Sequence, residues 1–156
     1  MVMNFQEAAK LKTADIERPK LVPIGTYRAV VKKVPVTETI GDGRFDTCDF
    51  MLGLLEAQED VSQDELKDFG GLTANTLMRY RFMFNKEDQA LFDRSLYNLK
   101  RFLEEHLKVA AGDNVQLSEA LNNSVNQQCM VFVKWRADKN DTEIQYAEIA
   151  KTAPLE

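Results

Sequence analysis

The sequence contains few of the residues on which metal sites and many catalytic sites depend. It has one histidine and two cysteines in 156 residues, and Cys48 and Cys129 belong to no Cys-x-x-Cys motif. Since metal sites and acid–base chemistry need several such groups close together, we expect no metal, no cofactor and no enzymatic activity. We interpret the cysteines as reduced, buried side chains and His106 as an ordinary helix-face residue. Gly41 and Gly43 lack the Gly-Lys-Ser/Thr ending of a phosphate-binding loop.

Long hydrophobic runs are also absent. No stretch approaches the ~18 apolar residues that a membrane span requires, and the first residues lack a basic region followed by an apolar one. We therefore expect a cytoplasmic protein with no membrane partner. The composition, 44% hydrophobic and 29% charged, is typical of a folded protein, and the length suits one domain.

The chain has no excess of positive charge, since its formal net charge is -5. The negative charge is concentrated in one segment, because residues 56–68 hold six acids and one base. The rest of the chain carries 19 basic and 19 acidic residues. A local basic face therefore remains compatible with the composition. Within the acidic segment, Ser62 and Glu65 fit a capping box and Gly70 a C-terminal stop, which predicts a short helix over residues 63–69.

Alternating apolar and polar residues predict five β-strands. In the second strand, for example, Phe50, Leu52 and Leu54 share one face. After the third strand, Asn85 fits the N-terminal cap of a long helix, and apolar residues at helical spacing over residues 92–107 predict its buried stripe. The predicted strands cover residues 26–34, 45–56, 76–84, 127–136 and 142–150.

Three strands, a helix and two more strands is the element order of the OB-fold, a partly open five-stranded β-barrel. We predict a mainly β, OB-like barrel with one long α-helix between strands 3 and 4. Residues 1–22 form an N-terminal lead-in segment, and residues 23–156 form the domain, with an acidic insert at residues 56–72. OB barrels bind oligonucleotides or oligosaccharides on strands 2 and 3 and on two loops, here residues 36–44 and 137–141.

Cations and aromatic rings at outward-facing strand positions predict a nucleic-acid-binding surface. Proteins that bind single strands combine positive charge along the phosphates with rings on which bases stack. Arg79 and Arg81 share the outward face of strand 3, and Phe132 lies outward on strand 4. Trp135 has core parity, although its position at a strand end also fits stacking. The predicted nucleic-acid-binding residues are Arg28, Lys32, Arg44, Phe45, Arg79, Arg81, Phe132, Lys134, Trp135 and Arg136.

Several segments resemble one family. They are Pro23-Ile-Gly-Thr-Tyr-Arg-Ala-Val-Val31, Phe45-Asp-Thr-Cys-Asp-Phe50, Leu99-Lys-Arg-Phe-Leu103 and Tyr146-Ala-Glu-Ile149. Together they resemble the phage single-stranded-DNA-binding proteins long described only as a domain of unknown function. The resemblance covers about residues 4–155. It implies an OB-fold accessory of phage replication or recombination, acting in the host cytoplasm, with single-stranded DNA or RNA and replication or recombination proteins as partners.

The sequence leaves two hypotheses of function. The first is sequence-tolerant binding of single-stranded DNA, because no base-reading pattern is visible and stacking tolerates any base. The second is an OB-like protein-interaction or assembly module that docks a partner through the acidic insert. A steep salt dependence of DNA affinity separates them, because release of counterions from phosphates is its cause.

Overall fold

Strand formation dominates the architecture. The computed structural model describes residues 2–109, 112 and 114–155. Within them, β-branched, aromatic and other apolar residues that pack well on a pleated surface build six antiparallel strands. The strands are β1 (Gly25–Val31), β2 (Val36–Ile40), β3 (Phe45–Ala57), β4 (Leu77–Asn85), β5 (Gln128–Ala137) and β6 (Gln145–Ala153).

The long strand β3 organises the sheet. Its residues 45–49 pair with β2 and its residues 52–57 pair with β1, both along one edge. Strand β4 pairs with the other edge, in a register that sets Phe50 opposite Tyr80. Strand β5 pairs with β1 and β6 pairs with β5, which gives the order β2-β3-β1-β5-β6 with β4 attached to β3.

Strands β4 and β6 approach each other without pairing. The sheet curls until Cα atoms of the two strands come within 8 Å, yet no ladder of backbone hydrogen bonds joins them in the described residues. The predicted mainly β fold with a helix after the third long strand is therefore confirmed, whereas the barrel is not closed. We call the gap between β4 and β6 the seam.

One predicted loop is largely a strand, so the strand number is six rather than five. Residues 36–40 were expected in a loop that extends to residue 44, but they form β2, because β-branched residues favour extended backbone and β3 offers a free edge. The turn that follows places Gly41, Asp42 and Gly43 at positive φ (63°, 56° and 86°), which two glycines make inexpensive.

The last strand begins three residues later than predicted, at Gln145 rather than Thr142. Side chains of two aspartates extend the preceding turn. Asp138 accepts a hydrogen bond from the Asn140 N–H at 2.8 Å, and Asp141 accepts one from the Glu143 N–H at 3.1 Å. Such aspartate–backbone bonds favour turns over strands.

The helices lie in the N-terminal lead-in segment and in the connections between strands. The long helix starts after Asp88, whose carboxylate accepts the Leu91 N–H, and not after Asn85, which is the last residue of β4. None of the helices in the described ranges is long and apolar enough to cross a membrane. They are α1 (Phe5–Ala8), a 3-10 turn (Thr13–Asp15), α2 (Gln63–Phe69), α3 (Gln89–Arg101), a π-helical turn (Phe102–His106) and α4 (Leu117–Asn123).

Helix α3 and the π-helical turn supply the core from one side of the sheet. Leu99, Leu103 and Leu107 of the predicted stripe are each 1% exposed. Phe102 lies outside that stripe, yet it is 2% exposed and meets the Phe50 ring edge-on at a centroid distance of 5.0 Å. The wider π turn changes the helical spacing, so that two successive residues, Phe102 and Leu103, both reach the core.

The acidic insert is anchored to the domain. Val61 is 3% exposed and packs so closely on Gly25 that a Cβ there would lie 2.5 Å from its Cγ2. Asp60 accepts hydrogen bonds from the N–H and hydroxyl of Thr26 at 2.9 and 2.7 Å. Leu66 and Phe69 of α2 also pack against the core, so this insert covers apolar surface with its inner side and exposes its acids.

Candidate functional site

The open seam forms a groove with a volume of about 820 Å³. Its walls are the outward residues of β4, the second half of the β5–β6 hairpin and the end of the lead-in segment. We call it the seam groove. Its cationic and aromatic lining includes Lys20, Phe69, Arg79, Arg81, Arg136 and Tyr146.

Four cations and a single carboxylate line the seam groove. Arg79 and Arg81 come from β4, Arg136 comes from the end of β5, Lys20 lies at one end, and Glu148 is the acid. The alternation of β4 and the β5–β6 register project the arginines toward the gap. Three of these cations are ion-paired: Lys20 with Asp68 at 2.6 Å, Arg81 with Asp49 and Arg136 with Glu148. The residues that line the groove nevertheless include more cations than carboxylates, on a protein of net charge -5.

The arginines differ in how they are held. Arg81 donates two hydrogen bonds to the Asp49 carboxylate, at 2.7 and 2.9 Å, and the hydrogen bond raises the pKa of Arg81 further. Arg136 donates to Glu148 at 2.9 Å on the surface. Within the described ranges, Arg79 lies within 4.0 Å of no carboxylate, so its charge is the least compensated of the three.

Tyr146 is the exposed ring of the groove, and the sequence analysis missed it. It is 42% exposed, the Arg18 guanidinium lies 5.2 Å from its centroid, and its hydroxyl donates to Asp138 at 3.1 Å. Tyr146 pairs directly with Arg136 across the hairpin. This pairing depends on the length of the turn, which the prediction had too short.

Phe45 and Arg44 lie near the far end of β3 and β4 from the seam groove. Phe45 pairs with Asn85, six residues and about 20 Å along β4 from Arg79. Its ring is half-buried, and the Arg44 guanidinium lies 5.9 Å from the ring centroid. Lys32 is exposed at the end of β1, and its aliphatic chain packs over Gly53 of β3.

Three further predicted site residues lie on β1 and β5, outside the lining of the seam groove. Arg28 donates to Gln128 at 2.9 Å and is half-buried. Phe132 is also half-buried, with the Lys151 ammonium 5.5 Å from its centroid. Lys134 is exposed and pairs with Glu148 at 3.6 Å. None of the three residues lines the seam groove itself, although Lys134 shares its carboxylate partner Glu148 with Arg136.

Trp135 fixes the lead-in segment to the sheet. Its indole N–H donates to the Val22 carbonyl at 2.7 Å, and 37% of the residue is exposed. Parity predicted a core position for Trp135, but the side chain is partly exposed and makes a hydrogen bond that the sequence did not predict. The segment held in this way carries Lys20 to one end of the seam groove.

Two other cavities have the opposite electrostatic character. The cavity beside Arg28 is lined by Glu56, Glu59 and Asp60. A cavity of about 500 Å³ between the β2–β3 hairpin and the helices is mainly apolar, with Glu38 and Asp46 as its charged residues. Cations therefore gather along the seam and not in these cavities.

The described residues hold no group of three or more histidine, cysteine or acidic side chains placed to bind a metal ion. Cys48 and Cys129 are buried and unpaired with each other, and burial raises their thiol pKa values to about 11 and about 12. His106 is half-buried, with Nδ1 2.6 Å from the Thr152 hydroxyl.

Comparison with known proteins adds no identification, since no model of a protein family matches the chain and no curated sequence matches it significantly. The function is therefore inferred from the geometry and the charge of the groove.

Proposed function

We propose that this chain binds single-stranded nucleic acid, DNA in the first place, along the seam groove. The role is to cover single strands without base preference during phage replication or recombination, in the host cytoplasm. Replication or recombination proteins would be its protein partners, and it would catalyse no reaction.

One observation carries this proposal: the basic lining of the groove on an acidic protein. Lys20, Arg79, Arg81 and Arg136 line the groove beside one lining carboxylate, Glu148, and within the described residues Arg79 has no carboxylate within 4.0 Å. A polyanion such as a phosphate backbone fits this lining, because each phosphate contacted releases counterions from the strand.

The exposed Tyr146 ring supports a single strand over a duplex. Stacking on an aromatic ring requires a base that is free of its partner. The Arg18 guanidinium lies over the Tyr146 ring at 5.2 Å, and Arg136 is the cross-strand partner of Tyr146. A base stacked on Tyr146 would place its flanking phosphates near those guanidinium groups. Such stacking is the same for every base, so we expect sequence-tolerant binding.

The test is fluorescence polarisation with labelled oligo-dT across a salt series. The double variant Arg79→Gln, Arg136→Gln removes two phosphate contacts, so we expect roughly tenfold weaker binding and a salt slope smaller by about 1.4. The control is Lys12→Gln, Lys100→Gln, which removes the same charge from exposed positions outside the groove. If both variants bind like the unaltered protein, the seam groove is not the binding site.

The anchored acidic helix favours a second candidate, the docking of a basic partner protein. Helix α2 packs through Leu66 and Phe69, while Asp64 and Glu65 are exposed. Replacing those two acids with lysine would abolish such docking. It would leave oligo-dT affinity unchanged or raise it, because both positions lie outside the lining of the groove.

A further inference from the structure

We infer that a bound strand continues past the seam groove into a second cavity against α3, where protein contacts its phosphates and not its bases. This inference rests on the proposed function. The second cavity has a volume of about 400 Å³. We call it the helix cavity, and its polar lining includes Ser95, Asn98, Arg101, His106, Lys151 and Thr152.

The two cavities are continuous. Tyr80, Arg81 and Met83 line both of them, so β4 forms a common wall. The opposite wall is β6 throughout, from Tyr146 in the seam groove to Thr152 in the helix cavity. A strand that leaves the seam groove along this wall therefore enters the helix cavity.

The helix cavity suits phosphates. Arg81, Arg101 and Lys151 contribute to its lining, and no carboxylate does. Arg101 is paired with Glu105 one turn along, at 2.8 Å, but both side chains are 56% exposed. Because exposed ion pairs of this kind are weak, Arg101 can exchange Glu105 for a phosphate at little cost.

The cavity offers no stacking surface for bases. Its phenyl and phenol rings are Tyr80, Phe82 and Phe102, which are buried or half-buried and pack against one another at centroid distances of 5.1 to 5.5 Å. The His106 ring is half-buried and packs edge-on against Phe102 at 6.2 Å. Ser95 and Asn98 instead add neutral hydrogen-bonding groups beside the cations. Protein contacts to phosphate and sugar position a strand without reading its sequence.

The width of the seam excludes a different ligand, a peptide that would pair as an extra β-strand between β4 and β6. Strands in a sheet lie about 4.8 Å apart, so an inserted strand needs about 9.6 Å between its neighbours. Cα atoms of β4 and β6 come within 8 Å of each other. Where the two strands come this close, the seam is too narrow for backbone pairing on both sides.

The experiment compares oligonucleotides of about 4 and about 12 nucleotides, near the lower end and within the range that one OB-fold covers. The variant Arg101→Gln, Lys151→Gln is expected to bind the longer oligo-dT roughly tenfold more weakly, with a salt slope smaller by about 1.4. Its affinity for the short oligonucleotide is expected to stay unchanged. The affinity of this variant for oligo-dA of the longer length should fall by the same factor, because the contacts in the helix cavity do not depend on the base.

Two controls separate this inference from the proposed function. The charge-conserving variant Arg101→Lys, Lys151→Arg is expected to keep the longer-strand affinity, and Lys12→Gln, Lys100→Gln is expected to change neither length. If Arg101→Gln, Lys151→Gln binds both lengths normally while the Arg79 and Arg136 variant does not, the helix cavity is excluded and the proposed function stands. If the unaltered protein binds neither length, both fail.

Discussion

Arg79 and Arg81 lie two residues apart on one face of β4, yet their surroundings give them different tasks. The side chain of Arg81 is 24% exposed and that of its partner Asp49 is 12% exposed, and two charge-assisted hydrogen bonds join them across β3 and β4. Such bonds are about twice as strong as neutral ones. Arg79 has no such carboxylate in the described part of the chain, so its guanidinium is available to a ligand.

This difference predicts unequal effects on stability. Arg81→Ala leaves the Asp49 carboxylate half-buried and unpaired, and we expect a loss of about 1–3 kcal/mol in the free energy of unfolding. Arg79→Ala, the matched control on the same face, should change it by less than about 0.5 kcal/mol. Urea denaturation measures both, and equal losses would show that the Asp49 pair does not stabilise the sheet.

At the scale of elements, capping and turn residues predicted those helices and strands whose formation depends on neighbouring residues alone. Helix α2 has the predicted bounds, because Ser62 accepts the Glu65 N–H and Gly70 takes a left-handed φ of 105°. Strand β2 was missed because its formation depends on the free edge of β3, which lies elsewhere in the structure. Parity separated many inward from outward residues, but it was wrong for Trp135, which is 37% exposed, and for Thr47, which is 1% exposed. The curl decides which outward residues meet, and it brings Arg136 and not Phe132 into the lining of the seam groove.

The anchoring of the acidic insert predicts that it cannot be removed freely. Replacing residues 59–67 with a short Gly-Ser linker removes the burial of Val61 and Leu66 and the Asp60 contacts to Thr26. We expect a loss of about 2–4 kcal/mol in the free energy of unfolding, from the apolar burial alone. A comparable replacement of Lys139 and Asn140 in the β5–β6 turn, where both are exposed, is the control. An unchanged denaturation midpoint for the first variant would show that the insert is only appended.

At the scale of the whole molecule, side chains and not a backbone ladder hold the seam together. His106, at the end of the π-helical turn, reaches across to β6, where its Nδ1 lies 2.6 Å from the Thr152 hydroxyl. Phe102 packs edge-on against the His106 ring at 6.2 Å. Helix, β4 and β6 therefore meet at one point, which also forms the floor of the helix cavity.

The contact between His106 and Thr152 predicts a dependence of stability on pH. Burial lowers the pKa of His106 below its usual value of about 6.5, Arg101 and Lys108 lower it further, and Glu105 partly opposes them. Below pH 6.5 the unfolded chain therefore binds a proton that the folded chain does not, so stability falls with falling pH until the folded pKa is passed. In the variant His106→Gln, the glutamine side chain can form a hydrogen bond but has no group that titrates. We expect its unfolding free energy to fall less than that of the unaltered protein as the pH drops below about 6.5. Thermal and urea unfolding at closely spaced pH values measure the difference, and parallel curves for the two proteins would exclude His106 as the titrating group.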